Sequence, residues 1–322
     1  MANIHPQQSA LSPRSPVAAD GGLQHRHFVP LSLWDGAVVL LINLLWGLNL
    51  VAIKMATHLV GPLTSSLLRQ IIVMLVCIGA LRIMPGRMRT LLTLGVLTGG
   101  VFYIALSYSL ALAENVASLA IASQLGAPIS ILLGVFVLKE HVGRWRIAGI
   151  ALAFIGVAVL VFHPGGAGDM DAIGLTVISS SIWAVGSLLQ RNLSGVPVLT
   201  IYAWMSLIGT LVLLPVTIWQ ESDLLMRLPD LPLRHFGWVV FSALGSTLIG
   251  QGGMSWLLQR HPLSTVAPLT LLSPIVAVTS STMYFGTALS TQMIVGGMIA
   301  LVGVAIVTIR SAWWRDQSGR TR

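Results

Sequence analysis

Two basic side chains, Lys54 and Arg69, interrupt apolar stretches of this 322-residue sequence that are long enough to span a bilayer. An ionised group at the centre of a membrane helix costs about 2.5–3.5 kcal/mol on insertion scales, so each should face a cavity, reach an interface or be paired. Lys54 lies near the end of its stretch, from which a long side chain can extend to the interface. Arg69 lies deeper, where it could bind the carboxylate of a solute or donate hydrogen bonds to helix-end carbonyls.

Residue patterns that support enzymatic or redox chemistry are absent from the sequence. The eight histidines fall in expected tails, loops or helix ends, and no His-Glu-x-x-His, phosphate-binding loop, Gly-x-Ser-x-Gly or intramembrane Asp/Glu pair occurs. The single cysteine, Cys77, excludes a disulfide framework and a cysteine-based metal site. We therefore predict a protein that is not an enzyme and that has no catalytic residue, metal or cofactor.

Polar and aromatic side chains recur near the middle of the apolar stretches. Trp46 and Asn49 place an indole and an amide at mid-depth, where polar groups need partners. Tyr103 and Ser107 continue a stripe of small residues at helical spacing. Taken singly, such side chains are as readily explained by helix packing or interhelical hydrogen bonds, but their common depth favours a central amphipathic cavity. The predicted substrate-binding residues are Trp46, Asn49, Tyr103, Ser107, Gln124, Trp183, Ser187, Gln251 and Ser273.

Four further residues are predicted to have gating or structural roles: Arg69, Pro128, Glu140 and Pro274. A proline inside a helix frees a backbone carbonyl and can bend the helix, so Pro128 and Pro274 are candidate moving points. Glu140 precedes Arg144 by four residues, a spacing typical of a helical ion pair. The alternative for Glu140 is an inner gate that is protonated or broken during a conformational change.

Composition determines the class of protein that must position these residues. Apolar residues make up 55% of the chain and charged residues 9%, whereas soluble domains carry about 25% charged residues. Because a bilayer core requires about 20 helical residues, the sequence predicts an all-α integral membrane protein with ten transmembrane helices. Their predicted ranges are 36–56, 62–81, 91–111, 115–138, 145–162, 172–191, 198–219, 235–258, 262–285 and 290–309.

Lysines and arginines sort to one side of these predicted helices. With a cytoplasmic N-terminus, 14 of the 18 lie in inside segments, two lie in outside loops, and Lys54 and Arg69 lie within helices. Six of the ten acids lie in outside loops. This asymmetry predicts that the N- and C-termini are both cytoplasmic. It also attributes the net charge of +8 to topology, so nucleic acid is not an expected partner.

The two halves of the chain resemble each other. Pro128 and Pro274 are 146 positions apart, the glycines of the fifth and tenth helices repeat at 147, and Trp46 corresponds to Trp183. Five spans per half is an odd number, so the second half must insert upside down, an arrangement that places a binding site near the midplane. The predicted organisation is a disordered cytoplasmic tail (1–33), two inverted five-helix repeats (34–165 and 166–311) and a cytoplasmic C-terminal tail (312–322).

Several of these features occur together in a known family. Trp46-Gly47-x-Asn49 with Lys54, then Arg69, Pro128 and Leu138-Lys139-Glu140 before the Gly149/Gly156 helix resemble the EamA-type drug/metabolite transporters over roughly residues 35–310. The resemblance implies two inverted five-helix repeats that move small metabolites across the cytoplasmic membrane. Within the family the sequence is most similar to bacterial exporters of amino acids, including aromatic ones. It departs from the family pattern at Tyr284-Phe285-Gly286, which lacks a second copy of the glutamate.

Residues and resemblance together favour a multi-pass protein of the bacterial inner (cytoplasmic) membrane, whose partners are the lipid bilayer and a small-molecule substrate. The predicted function is secondary export of small metabolites, particularly neutral or aromatic amino acids, by alternating access. One alternative is a multidrug or amphipathic-cation exporter of the same fold, which the lack of an intramembrane acid disfavours. A non-transporting membrane scaffold or enzyme is the least favoured alternative.

Overall fold

A computed structural model of the chain describes residues 32–138, 143–161, 169–261, 263–287 and 289–320, and every regular element in these ranges is helical. Residues 1–31 of the predicted N-terminal tail and the candidate gate Glu140 lie outside them. Interrupted helices are numbered once. The helices are α1 (Leu33–Val60), α2 (Pro62–Cys77), α3 (88–112), α4 (116–138), α5 (Arg144–Val161), α6 (Met170–Arg191), α7 (Val198–Arg227), α8 (233–260), α9 (263–285) and α10 (Thr291–Arg320).

Seven of these helices are long and apolar enough to cross a bilayer, judged by length and composition over the described part of the chain. They are α1, α2, α3, α4, α6, α7 and α10. Large apolar side chains remain on their outer surfaces; Leu211 and Ile218 of α7 are 58% and 53% exposed. An apolar exterior on a helical chain is the surface of a multi-pass membrane protein, because lipid solvates it. The last helix continues to Arg320 instead of ending near residue 309.

Local sequence explains where α1 begins and ends. The Ser32 hydroxyl accepts a hydrogen bond from the Asp35 backbone N–H at 3.1 Å, and the Asp35 carboxylate accepts one from the Ser32 N–H at 2.9 Å. This reciprocal capping box satisfies N–H groups that have no partner within the helix. The helix ends at Gly61, whose φ of 105° suits only glycine. Pro62 then begins α2 with its φ already helical.

The first turn of α2 is capped by Glu221, a residue 8% exposed and more than 150 positions away. Its carboxylate accepts hydrogen bonds from the backbone N–H groups of Leu63 (3.0 Å) and Thr64 (2.8 Å), and from the Thr64 hydroxyl (2.7 Å). A carboxylate is favoured at this position because the N-terminus of a helix carries partial positive charge. Glu221 has non-helical backbone angles inside α7, so the kink there accompanies this contact.

The sequence predicts that the long side chain of Lys54 extends to an interface, and the structure places its ammonium at the end of a neighbouring helix. Its ammonium donates hydrogen bonds to the carbonyls of Leu110 (2.6 Å) and Ala113 (2.8 Å) at the C-terminal end of α3. Helix C-termini carry unsatisfied carbonyls and partial negative charge, so a cation is stabilised there. Lys54 therefore joins α1 to α3 and has the role that was one alternative for Arg69.

Two helices break just before a proline. A short 3₁₀ segment, Ser123–Leu125, interrupts α4 before Pro128, and a turn at residues 270 and 271 interrupts α9 before Pro274. Neither proline has an N–H for the carbonyl four residues earlier, which explains why the helix yields there. At the interruption of α9, the Leu269 carbonyl accepts a hydrogen bond at 3.1 Å from the side-chain amide of Asn43, a buried residue of α1. The predicted bending points are thus actual interruptions, while their movement stays a prediction.

A second pair of interruptions is π-helical. Gly95–Val101 in α3 and Phe241–Gly250 in α8 have the wider π-helical turn. Their first residues are 146 positions apart, the same spacing that separates Pro128 from Pro274. Short π segments are rare and occur frequently at functional sites.

Helices of the two predicted halves interleave within one compact unit, Leu31–Arg322. Helix α1 packs on α8 and α9, and its counterpart α6 packs on α3 and α4. Helix α2 packs on α7 and α8, α3 packs on α7, and α5 packs on α10. Each of these contacts is reproduced when both helices are replaced by the helices five places along the chain, counting on from α10 to α1.

The α5–α10 crossing depends on glycines that meet in reciprocal pairs. A Cβ on Gly149 would lie 2.9 Å from the Gly303 carbonyl oxygen, and one on Gly303 would lie 2.6 Å from that of Gly149. In the same way, a Cβ on Gly156 would lie 2.6 Å from the Gly296 carbonyl oxygen, and a Cβ on Gly296 would lie 2.7 Å from the Gly156 carbonyl oxygen. Small residues allow two membrane helices to approach until their backbones touch, which maximises dispersion contacts.

Candidate functional site

A cavity of about 290 Å³ lies among α1, α2, α3, α6, α7 and α8. Its volume is close to the lower end of the range for small-molecule sites, about 300–1,000 Å³. Aromatic rings, amides, hydroxyls and one guanidinium share its wall. The lining residues are Trp46, Asn49, Ile53, Arg69, Thr98, Phe102, Tyr103, Leu106, Trp183, Ser187, Gln190, Tyr202, Met205, Ser246, Thr247 and Gln251.

The cavity brings together most of the residues that the sequence analysis selected. The selected residues in its wall are Trp46, Asn49, Arg69, Tyr103, Trp183, Ser187 and Gln251. The other three predicted substrate-binding residues, Ser107, Gln124 and Ser273, lie outside the wall. Ser107 is fully buried and its hydroxyl lies 2.5 Å from that of Ser66, so it joins α3 to α2. Gln124 and Ser273 belong to the interrupted regions of α4 and α9. Substrate contact by any of these residues stays a prediction.

Arg69 is 7% exposed and is held by α8 and α3. Its guanidinium donates to the hydroxyls of Ser242 (2.7 Å) and Thr247 (2.6 Å), and lies 4.7 Å from the centre of the Tyr103 ring. The Nε–H has no hydrogen-bond partner among the described residues. Arg69 therefore does not donate to helix-end carbonyls, which was the second alternative for it, and its charge lies at the wall of the cavity.

The π-helical segment of α8 explains how two hydroxyls reach one guanidinium. In an α-helix, side chains five residues apart point about 140° away from each other. In the wider turn, Ser242 and Thr247 lie on one side, and the Thr247 hydroxyl donates to the Ser242 carbonyl at 3.1 Å. The Ser242 hydroxyl in turn donates to the Asn49 amide oxygen at 2.7 Å. A continuous polar chain thus joins α1, α2 and α8 at mid-depth.

Aromatic side chains form the apolar part of the wall. Trp46 donates from its indole N–H to the Ser246 carbonyl at 3.3 Å, and Gly250 leaves room for the ring, because a Cβ there would lie 2.6 Å from the indole nitrogen. Trp183 stands on the α6 side of the cavity and remains 48% exposed. The two tryptophans at corresponding positions of the two halves therefore share one cavity.

Several lining residues were missed by the sequence analysis. Phe102 and Leu106 flank Tyr103 by one and three residues, so the helical stripe could have indicated them. Tyr202 is a polar aromatic residue inside an apolar helix and carried a similar signal. Thr247 and Ser246 became visible only through the π-helical turn, which no sequence pattern predicted.

The cavity wall is electrostatically one-sided. Arg69 is the only charged side chain in the lining of the described chain. The three buried acids of the described ranges, Asp35, Asp169 and Glu221, all have partners elsewhere. Three or more metal-binding side chains do not cluster anywhere in the same ranges. The site can therefore hold a small solute by ring contacts, neutral hydrogen bonds and one cation.

Comparison with known proteins agrees with this architecture. Residues 34–162 and 170–309 each match the model of the EamA-like transporter family. The chain is 29% identical over 286 residues to a Salmonella typhimurium protein named "Probable amino-acid metabolite efflux pump", an alignment that covers 86% of this chain and 95% of the relative. An Escherichia coli protein of the same name is 26% identical, with 88% and 97% covered. A solved structure with 19% identity and a TM-score of 0.57, covering 86% of this chain and 97% of its own, shares the fold.

Proposed function

The chain belongs to the EamA-like transporter family and is a membrane transporter, not an enzyme; from this premise we propose that it exports small metabolites, in particular neutral or aromatic amino acids and their derivatives. The observation that carries the proposal is the cavity at mid-depth. Rings from Trp46 and Trp183 suit an apolar side chain, and Arg69 suits a carboxylate. We place the protein in the bacterial cytoplasmic membrane with both termini inside.

The proposed architecture is ten transmembrane helices in two inverted repeats. Support comes from the recurrent helix contacts, from matched interruptions in α3 and α8 and in α4 and α9, and from two matches to one family model. Interleaving of the halves makes it implausible that one repeat rocks rigidly against the other. We propose instead that the moving bodies are two mixed groups, α1 with α8 and α9, and α6 with α3 and α4.

Each mixed group has a buried carboxylate that holds its own loop. In one group, the Asp35 carboxylate oxygen lies 3.1 Å from Nε2 of His261. His261 belongs to the connection between α8 and α9. In the other, the Asp169 carboxylate accepts from the backbone N–H groups of Glu114 (2.7 Å) and Asn115 (3.2 Å), between α3 and α4. Asn115 and His261 are 146 positions apart, the repeat spacing. These two contacts, the carboxylate clamps, would keep each group rigid while it moves.

Positions along the helices suggest which way the cavity faces. Gln190 is the penultimate residue of α6, and Met205 is near the start of α7, so the lining extends toward the end rich in lysine and arginine. At the opposite end, Lys54, Asp169 and Glu221 hold helix ends together. We propose that this is an inward-facing state, which accepts a cytoplasmic solute for export. An amphipathic cation would be repelled by Arg69, so that alternative is disfavoured.

The clamp role predicts the effect of Asp169→Asn. An amide keeps one acceptor oxygen but turns an NH₂ toward backbone donors, so it should lose hydrogen bonds worth about 1–3 kcal/mol. We expect faster deuterium uptake over residues 113–117 and a lower export rate. Asp171→Asn, on an exposed residue two positions later, is the matched control. Unchanged exchange and export in Asp169→Asn would refute the clamp.

Transport in liposomes tests the function directly. Purified protein would be reconstituted and assayed with labelled neutral and aromatic amino acids and their N-acyl derivatives, at imposed and collapsed pH gradients. We expect saturable transport of at least one aromatic member of the panel, and the gradient comparison reports proton coupling. Absence of transport for every member would overturn the proposal.

The same assay tests the cavity wall through Trp183→Ala. Loss of a ring that contacts an apolar substrate should raise the apparent KM by about tenfold, which corresponds to ~1.4 kcal/mol of binding. Trp219→Ala is the control, because Trp219 is 82% exposed on the outside of α7. Equal KM values for the two variants would assign Trp183 to packing alone.

A further inference from the structure

We propose that the preferred solute is a monocarboxylate without a free ammonium group, such as an N-acylated aromatic amino acid, and that Arg69 binds its carboxylate. This inference rests on the proposed export function and names its substrate class. It follows from three observations: the charge of Arg69, the donors that it leaves unused and the absence of acidic side chains in the described cavity wall.

The Arg69 charge has no counter-ion among the described residues. Its contacts are two hydroxyls, Ser242 and Thr247, and the Tyr103 ring, all of which are uncharged. Glu221, a buried acid on the adjacent helix α7, is engaged by the first turn of α2. A buried cation that lacks an anionic partner is costly in a low-dielectric surrounding. The anion that completes this site would therefore come from the solute.

The guanidinium also has donors to spare. Arginine has five N–H groups, and hydrogen bonds to Ser242 and Thr247 use two of them. The Nε–H is buried and has no hydrogen-bond partner among the residues that the structure describes. Arginine binds carboxylates with two parallel hydrogen bonds. The Ser242 and Thr247 hydroxyls each accept from one terminal nitrogen, and each of these nitrogens has a second N–H. One guanidinium suits one carboxylate and leaves a second negative charge uncompensated.

A free ammonium would find a poor partner in the same wall. A zwitterion brings its own positive charge close to Arg69, and no acidic side chain of the described lining is available to neutralise it. The Asn49 amide oxygen already accepts from Ser242, and the Tyr103 ring already contacts the guanidinium. Replacing the ammonium by an acyl amide removes that charge. Neutral side chains such as Gln190 and Gln251 can hydrogen-bond an amide.

Three matched solutes separate the contributions. Labelled N-acetyl-L-phenylalanine, L-phenylalanine and N-acetyl-L-phenylalaninamide share one ring and differ in charge. In wild-type proteoliposomes we expect N-acetyl-L-phenylalanine to have a kcat/KM at least about tenfold above that of the other two, a ratio set by one favourable charge interaction. Wild-type protein suffices for this comparison, so no variant has to fold.

The role of Arg69 is tested by Arg69→Gln, with Arg227→Gln, on an exposed arginine of α7, as the control. We expect Arg69→Gln to abolish the preference for N-acetyl-L-phenylalanine over its amide, and the control to retain it. Size-exclusion profiles and helical content would establish that both variants fold. If Arg69→Gln fails to fold, the wild-type ratios decide.

The outcomes for substrate class and for function are distinct. Transport of L-phenylalanine as efficient as that of the N-acetyl compound would overturn the substrate class and leave export of amino acids standing. Efficient transport of the uncharged amide would overturn the carboxylate contact of Arg69. If none of these solutes and no other amino acid is transported, the proposed function itself fails.

Discussion

Gly156→Leu is expected to prevent α5 and α10 from packing and to abolish recovery of folded protein. A Cβ at this position would lie 2.6 Å from the Gly296 carbonyl oxygen and 2.7 Å from the Ala300 Cα, so the obstacle is backbone on the opposite helix. Overpacking against side chains costs about 1–3 kcal/mol. Here the helix axes themselves would have to separate, and the reciprocal contact of Gly149 with Gly303 would open as well.

The measurement is the yield of monodisperse protein in detergent and its Tm, compared with Gly252→Leu. A Cβ on Gly252 has no atom of the described chain within 4 Å, so this exposed glycine of α8 tests the same substitution without a crossing. We expect near wild-type yield for the control and little or no folded Gly156→Leu protein. A folded Gly156→Leu variant with an unchanged Tm would show that the crossing tolerates separation.

Glu221→Gln is expected to destabilise the folded protein by about 2–4 kcal/mol, because hydrogen bonds to a buried charged acceptor are the strong ones. The carboxylate serves Leu63 and Thr64 in the first turn of α2. Glutamine has nearly the same shape, but its NH₂ group would face backbone N–H donors. It also removes negative charge from a helix N-terminus, where such charge is favourable.

A lower Tm for Glu221→Gln than for Asp223→Asn is the result that we expect. Asp223 is exposed and lies two residues later in α7, so it reports the effect of removing a charge from this segment without the cap. Because Arg69 is seven residues from Pro62 on the same helix, loss of the cap should also reduce transport of every solute. Equal Tm values for the two variants would mean that the cap contributes nothing.

Much of this architecture follows from sequence alone, because membrane helices obey local rules. Backbone N–H and C=O groups in lipid have no water to bind, and a helix provides hydrogen bonds for them within one segment. Long apolar runs therefore predict helices almost independently of the rest of the sequence. The predicted ranges 145–162 and 262–285 lie close to α5 and α9. The glycine spacing likewise predicted an α5–α10 correspondence, because close helix approach leaves a periodic record of small residues. Mid-depth polarity and aromaticity were sufficient to select Trp46, Tyr103 and Trp183.

The sequence did not predict which groups the charged side chains bind. Lys54 and Arg69 are both cations inside apolar helices, yet one binds the carbonyl end of α3 and the other two hydroxyls of α8. Both are basic residues within apolar segments, so the sequence offered no way to tell which helix each would bind. Glu221, one of the six acids that the sequence assigned to outside loops, is a buried helix cap. The sequence could not indicate this role because the helix that it caps lies more than 150 positions away.

Composition and spacing by themselves determined that this chain is a helical membrane protein with an internal repeat and with aromatic residues near the middle of several helices, and they predicted that its lysines and arginines lie mostly on one side of the membrane. Tertiary structure alone decided that Ser242 and Thr247 face Arg69, that the halves interleave and that Ser107 lies outside the cavity. The physical reason is range. Hydrophobic burial acts on each segment independently, whereas a hydrogen bond needs two groups within about 3 Å, and only the packing of distant helices provides that proximity.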